Sequence, residues 1–228
     1  MNALILADGE APNRAELDHA WPGWAAGIGL VIAADGGARH AAALEVDIDV
    51  WVGDGDSLDA DGIAALEAAG VPLLRASRHK DESDTELAVR EAIARGATGV
   101  VIVGGLGGRR FDHSLANLGL LTMPELADRP AMLLDAQTRI TLIRAPGPGG
   151  EPVRRSLVGE VGGLVSLLPY GADVAGITTE RLEYPLTNEV LATGPARGLS
   201  NVRVGVDAAV TVGSGLLLVV ESPATLPA

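Results

Sequence analysis

The periodicity of apolar residues changes once along this chain of 228 residues, near position 138. Before it, short apolar runs (Leu4–Ala7, Leu30–Ala34, Val50–Val52, Val71–Leu74, Val100–Val103) alternate with helix-like stretches such as Ala60–Ala69 and Asp84–Arg95. Strands interleaved with helices predict a parallel sheet covered on both faces. After it, the helical signal ends. The runs Arg139–Arg144, Leu164–Leu168, Ile177–Leu182, Val202–Val206, Ala208–Val212 and Leu216–Glu221 alternate or stay apolar between Gly- and Pro-bearing turns. That pattern predicts an all-β sandwich, with Ala145–Arg155, which holds three prolines and three glycines, as a loop or hairpin tip. Two domains are therefore expected, 1–138 and 139–228.

Charge divides at the same place. The net charge is −13, of which −12 falls in residues 1–138 and −1 in 139–228. No basic stripe exists to displace phosphate counterions, so nucleic acid is not an expected partner. The absence of cysteine excludes disulfides, thiolate catalysis and Cys-ligated zinc. No stretch approaches the roughly 18 apolar residues of a membrane helix, and MNALILADGEAPNR lacks the basic start and long apolar run of a signal peptide. The expectation is a soluble cytoplasmic protein without a membrane partner.

Three successive strand-like runs end in aspartate and glycine: LILADG with Asp8, VIAADGG with Asp35, and WVGDGDS with Asp54 and Asp56. In open parallel sheets, ligands sit beyond the strands' carboxyl ends, so separate strands would aim several carboxylates at one crevice. Carboxylates that close repel one another and raise each other's pKa, and a divalent cation such as Mg²⁺ resolves the conflict. Asp-Gly after a strand is also ordinary turn chemistry, and turn formation or capping at a helix start accounts for Asp8. Asp54 and Asp56 point further, because Gly53 and Gly55 permit close backbone approach. DGDSLDADG is not a calcium loop. Aligned on Asp59, Asp61 and Gly62, an EF-hand would require glutamate where Ala68 stands.

In SRHKDESDTELAVREAIARG, Leu87, Ala88, Ala92 and Ile93 fall on helical spacing, with Ser83 or Asp84 as cap and Glu86 in the first turn. Capping leaves Lys80 unexplained. It is the only lysine among 17 basic residues, a compact donor suited to phosphate. Next, VIVGGLGGRRFDHSLANLGLL runs from a strand through Gly104, Gly105, Gly107 and Gly108 to Arg109, Arg110, Asp112 and His113. Backbone N–H groups of such a loop can cradle phosphate, and the arginines add matching donors. It is neither a Walker loop nor a GxGxxG fingerprint. His113 is open to three roles: general base, helix cap or core histidine. His19, His40 and His79 show no ligand spacing and read as surface residues.

ADGGARH (Ala34–His40), GDGDS (Gly53–Ser57), KDESDTELA (Lys80–Ala88), GGRRFDHSLAN (Gly107–Asn117) and RGLSN (Arg197–Asn201) occur in this order. Together they resemble the thiamine pyrophosphokinase family across almost the whole chain, with YPLTNEVL matching in the β half. The resemblance implies an α/β nucleotide-binding domain followed by a β-sandwich that binds thiamine and dimerises. The working unit it implies is a homodimer with ATP and thiamine as substrates and Mg²⁺ as cofactor. It implies pyrophosphoryl transfer from ATP to thiamine with release of AMP. Carried over by motif, Asp35, Asp54, Asp56 and Asp84 would hold Mg²⁺ or order its waters. Asp35, Gly36, Gly37, Lys80, Asp81, Arg109 and Arg110 would contact ATP. Asp54, Asp56, Asp84 and Asp112 would serve catalysis, and Ser200 and Asn201 would lie near thiamine. Such a transfer needs positioning and neutralised charge more than covalent help.

The chain departs from the family pattern at Gly55, where phenylalanine is usual, and at Ser83, which replaces threonine. One extra residue in GGRRFDH makes Arg109 and Arg110 alternatives for the phosphate-facing position. Val202 and Arg203 stand where some relatives place an aromatic residue. Two further readings remain: a metal-dependent nucleotide-sugar glycosyltransferase, which also uses paired aspartates, and a nucleotide-sensing module without turnover.

Overall fold

The computed structural model describes residues 1–224. The chain divides into two compact units between Ala136 and Gln137.

In the first unit the elements run β1 (Asn2–Leu6), α1 (Arg14–Ala20), β2 (Ile28–Ala34), a 3-10 helix (Asp35–His40), α2 (Ala41–Leu44), β3 (Val50–Gly53), α3 (Ala60–Ala68), β4 (Leu73–Arg75), α4 (Asp84–Ala94), β5 (Gly99–Val103), α5 (Phe111–Leu120) and β6 (Ala131–Leu134). The strands pair in parallel in the order β6-β5-β1-β2-β3-β4. Successive strands thus step outward from β1 to β4, and the chain then crosses back to place β5 on the other side of β1. This reversal between β1 and β5 is a topological switch point, where the loops leaving two adjacent strands diverge and open a crevice. Strands buried on both faces carry continuous apolar runs, and Leu4, Leu6, Val31, Ala33, Val101 and Val103 enter the core with all three tryptophans, Trp21, Trp24 and Trp51.

Helix α4 carries the amphipathic pattern, but its buried stripe is Thr85, Ala88, Val89 and Ala92. Leu87 and Ile93, expected on that face, are only half-buried. Ser83 caps the helix as expected, its hydroxyl accepting the Glu86 amide at 3.1 Å. β6 had no counterpart among the expected strands.

The second unit comprises β7 (Arg139–Ala145), β8 (Val153–Ser156), β9 (Leu164–Pro169), β10 (Val174–Glu180), β11 (Glu189–Leu191), β12 (Asn201–Val202), β13 (Ala209–Val212) and β14 (Gly215–Ser222). Antiparallel pairing gives one layer ordered β12-β9-β14-β7 and another ordered β11-β10-β13-β8. Ile143, Val165, Leu167, Leu217 and Val219 from the first layer share a core with Val174, Ile177, Leu191, Val210 and Val212 from the second. This is the alternating inward pattern of a sandwich. The expected strand Val202–Val206 shrinks to Asn201–Val202. Arg203 turns inward, 1% exposed, to donate to the carbonyl of Leu157 and pair with buried Glu221. The chain then turns, leaving Val206 84% exposed. β8 lies where the sequence predicts a loop, because VRRS offers little apolar signal; it forms by antiparallel pairing with β13, and its Arg154 pairs with Glu180.

Candidate active site

A cleft of about 600 Å³ opens at the switch point. Asp8 and Gly9 follow β1, Asp35 follows β2, Ser57 lies in the loop after β3, and Gly104, Gly105, Gly107 and Gly108 follow β5. Lys80 and Asp84 come from the segment that begins α4, and Arg109, Arg110 and His113 from the start of α5. The glycine loop is held by α5 itself: Asn117 donates to the Gly105 carbonyl at 2.9 Å and Ser114 to that of Gly107 at 3.3 Å. Gly104 cannot carry a side chain, because its φ is +72° and a Cβ would lie 2.2 Å from the Ala7 carbonyl oxygen.

Asp35 is the first residue after β2, 3% exposed and at φ +44°. One carboxylate oxygen, Oδ2, accepts the Ser57 amide at 3.1 Å; the other, Oδ1, is buried without a partner. Burial drives its pKa up to about 6; the Ser57 amide opposes the shift, and the charges of Asp84 and Asp56 add to it. Oxygens of Asp35, Asp54 and Asp56 lie within 4.8 Å of one another. Asp54 Oδ1 accepts the Asp56 amide at 3.1 Å, and Asp56 Oδ1 accepts the Ser57 hydroxyl at 3.1 Å. An orphaned buried oxygen beside two further carboxylates suits a hard, oxygen-preferring cation.

Asp84 stands outside that group of three. Its Oδ1 lies 2.9 Å from Lys80 Nζ in an ion pair rather than an aligned hydrogen bond. Burial would lower the Lys80 pKa, but contact with Asp84 and the charges of Asp84, Asp54 and Asp35 outweigh it and raise it.

The remaining expected site residues are placed as follows. Gly36 and Gly37 are buried in the 3-10 helix, and a Cβ on Gly37 would lie 2.0 Å from the Leu6 carbonyl oxygen, so Gly37 packs the helix onto the end of β1. Asp81 is exposed, and its neighbour Glu82 lines the cleft. Asp112 is exposed and paired with Arg110 through two bonds, 2.9 and 2.5 Å, which hold its carboxyl near a pKa of about 2. Both arginines line the cleft, and Arg110 is engaged there by Asp112. Ser200 is exposed at φ +56°, its amide donating to the Ser166 hydroxyl at 3.0 Å. Asn201 is buried, and both ends of its amide are used within the second unit. Nδ2 donates to the Tyr184 carbonyl at 2.7 Å, and Oδ1 accepts the amides of Tyr184 and Val202 at 3.0 and 2.9 Å.

Two readings of individual residues are corrected. Asp8 is more than a turn residue: it lines the cleft and forms an ion pair with Arg39. His40 is not a surface residue. It is half-buried, with Nε2 3.0 Å from the Gly9 carbonyl, and burial lowers its pKa. Arg39 had been missed altogether. It lies in the motif ADGGARH, but nothing in that spacing says where a long arginine side chain will reach.

A parallel-sheet unit with this acidic cleft at its strand ends is followed along the chain by a β-sandwich, an arrangement suited to holding a cation and an anionic ligand beyond the strand ends. The catalytic-domain model of thiamin pyrophosphokinase matches residues 25–133, and that family's vitamin B1 binding domain matches residues 155–217. The chain belongs to the thiamin pyrophosphokinase family. The thiamine pyrophosphokinase of Bacillus subtilis is 26% identical over 170 residues, 75% of this chain and 76% of the relative. A crystal structure of a thiamin pyrophosphokinase family protein from Enterococcus faecalis is similar with a TM-score of 0.76 and 28% identity, covering 97% of this chain and 99% of that one. The yeast thiamin pyrophosphokinase structure shares the fold at a TM-score of 0.75 and 16% identity, over 97% of this chain and 86% of the other. These matches favour neither a glycosyltransferase nor a sensing module. No helix among the described residues is long and apolar enough to cross a membrane.

Proposed function

We propose that this enzyme transfers the terminal pyrophosphoryl group of ATP to the hydroxyl of thiamine, giving thiamine diphosphate and AMP, as a Mg²⁺-dependent cytoplasmic homodimer. In that reaction the thiamine hydroxyl oxygen forms a bond to the β-phosphorus. The bond from that phosphorus to the α,β-bridging oxygen breaks, AMP leaves with the bridging oxygen, and the hydroxyl proton is released. The observation that carries the reading is the buried, unpartnered Asp35 Oδ1 beside the oxygens of Asp54 and Asp56 at the sheet's switch point. Those three carboxylates would hold Mg²⁺, with Asp84 ordering the water around it. A Mg²⁺ ion held by these residues would supply charge neutralisation and orientation for the polyphosphate.

The chain's own residues do the rest by positioning, which is most of what phosphoryl transfer requires. The glycine loop after β5 offers backbone N–H groups, and Arg109 and Lys80, both lining the cleft, offer cationic donors. Of the pair Ser200 and Asn201, Ser200 is the exposed one, on a turn within the region matched by the vitamin B1 model, and would be available to thiamine.

The test is AMP formation in the presence and absence of thiamine. Thiamine-dependent AMP is expected from the parent, and a loss of at least a hundredfold from Asp56→Asn, since removing one carboxylate weakens charge stabilisation in the transition state. Thiamine-independent hydrolysis, or parent-like turnover by Asp56→Asn at limiting Mg²⁺, would contradict the assignment. Sedimentation of the active species tests the dimer.

A further inference from the structure

The one lysine of the chain, beside 16 arginines, sits among the carboxylates of the cleft. Its Nζ is 2.9 Å from Asp84 Oδ1 and 3.8 Å from Asp54 Oδ2, and its side chain is 13% exposed. Asp54 belongs to two groups at once. It is a member of the three-carboxylate set with Asp35 and Asp56, and its Oδ2 faces the ammonium. A divalent cation and the lysine would therefore draw on the same carboxylate. The fourth acid, Asp84, pairs with Lys80 and is not one of the three.

We propose that Lys80 is an internal counter-ion that weakens divalent-cation binding in the nucleotide-free enzyme and releases Asp54 and Asp84 when a polyphosphate draws its ammonium away. The inference rests on the metal- and nucleotide-binding reading given above. Lysine suits this part better than arginine. An ammonium is a compact point charge on a flexible stem and can change partners, whereas a guanidinium fork would lock onto a carboxylate bidentately. A unit charge a few ångströms from a dication opposes its binding strongly in a partly buried site. Moving that charge onto phosphate removes the opposition, so cation and nucleotide bind cooperatively, each raising the other's affinity by the same factor.

Mn²⁺ is the probe, titrated into nucleotide-free protein at pH 8, with free Mn²⁺ read by electron paramagnetic resonance. Lys80→Met is expected to bind Mn²⁺ at least tenfold more tightly than the parent, and a non-hydrolysable ATP analogue should enhance its binding far less. Lys80→Arg, which keeps the charge, should stay within about threefold of the parent. Lys80→Gln carries the same expectation as Lys80→Met and serves if the latter does not fold. Mn²⁺ affinity of the neutral variant equal to or below the parent's overturns the counter-ion role while leaving the cation site in place. A parent that binds no Mn²⁺, with or without the analogue, overturns the metal-site reading and this inference with it.

Discussion

Arg39 Nη1 donates to the carbonyl oxygen of Ser57 at 2.6 Å, so the 3-10 helix that carries Asp35 is tied to the loop that carries Asp54 and Asp56. The same guanidinium pairs with Asp8 at the end of β1. One side chain thus fastens three strand ends that sequence reading treats as independent.

Arg39→Ala should loosen the Asp54–Ser57 loop and raise the Mg²⁺ concentration needed for half-maximal activity by about tenfold, the scale associated with residues that orient metal ligands. The guanidinium is half exposed, so thermal stability should change little. Arg39→Lys, which cannot reach both partners with a fork, should recover only part of the activity. Activity as a function of Mg²⁺ decides the matter; an unchanged Mg²⁺ dependence in Arg39→Ala would remove the positioning role.

Asp35 trades stability for its site. Its carboxyl titrates at about 6 in the folded protein against an ordinary 3.8, so between those values the folded state holds a proton that the unfolded state has lost. The destabilisation is therefore complete above pH 6, shrinks as the pH falls, and is gone below the unfolded value. Asp35→Asn should abolish activity yet stabilise the cation-free protein by about 1–3 kcal/mol at pH 8, with a smaller gain at pH 4.5. Calorimetry with a chelator at both pH values measures this. A variant less stable than the parent at pH 8 would show the charge to be compensated.

Asn201 acts on the backbone at Tyr184. Asn201→Ala strips partners from the Tyr184 N–H and C=O together and should cost about 1–3 kcal/mol. Asn201→Asp, which sets a buried carboxylate oxygen against the Tyr184 carbonyl oxygen, should cost at least as much. Thermal unfolding distinguishes this from direct thiamine contact: a raised KM for thiamine with undiminished stability would return the side chain to the ligand.

The reach of the sequence is clearest at α4. Ser83, Glu86 and the apolar spacing of SDTELAVREAIA are local, and they fix a capped helix beginning at Asp84. That Lys80, four residues earlier, lies against Asp54 from another strand is not local, and no spacing within either segment encodes it. Asn201 shows the converse. Its motif singled it out, but whether its amide faces a ligand or the chain depends on the turn around Tyr184, which the motif does not contain.

The sequence by itself determined the class of each half, because strand and helix periods of two and 3.6 residues are properties of neighbouring side chains. It also determined that aspartates would end several strands, because Asp-Gly follows the apolar runs directly. Tertiary structure alone decided which carboxylates meet. The order β6-β5-β1-β2-β3-β4 brings the loops after β2 and β3 together, so Asp35, Asp54 and Asp56 converge, while Asp84 pairs with Lys80. Distances between loops depend on strand order and on the reach of side chains such as Arg39, and periodicity along a single chain carries neither.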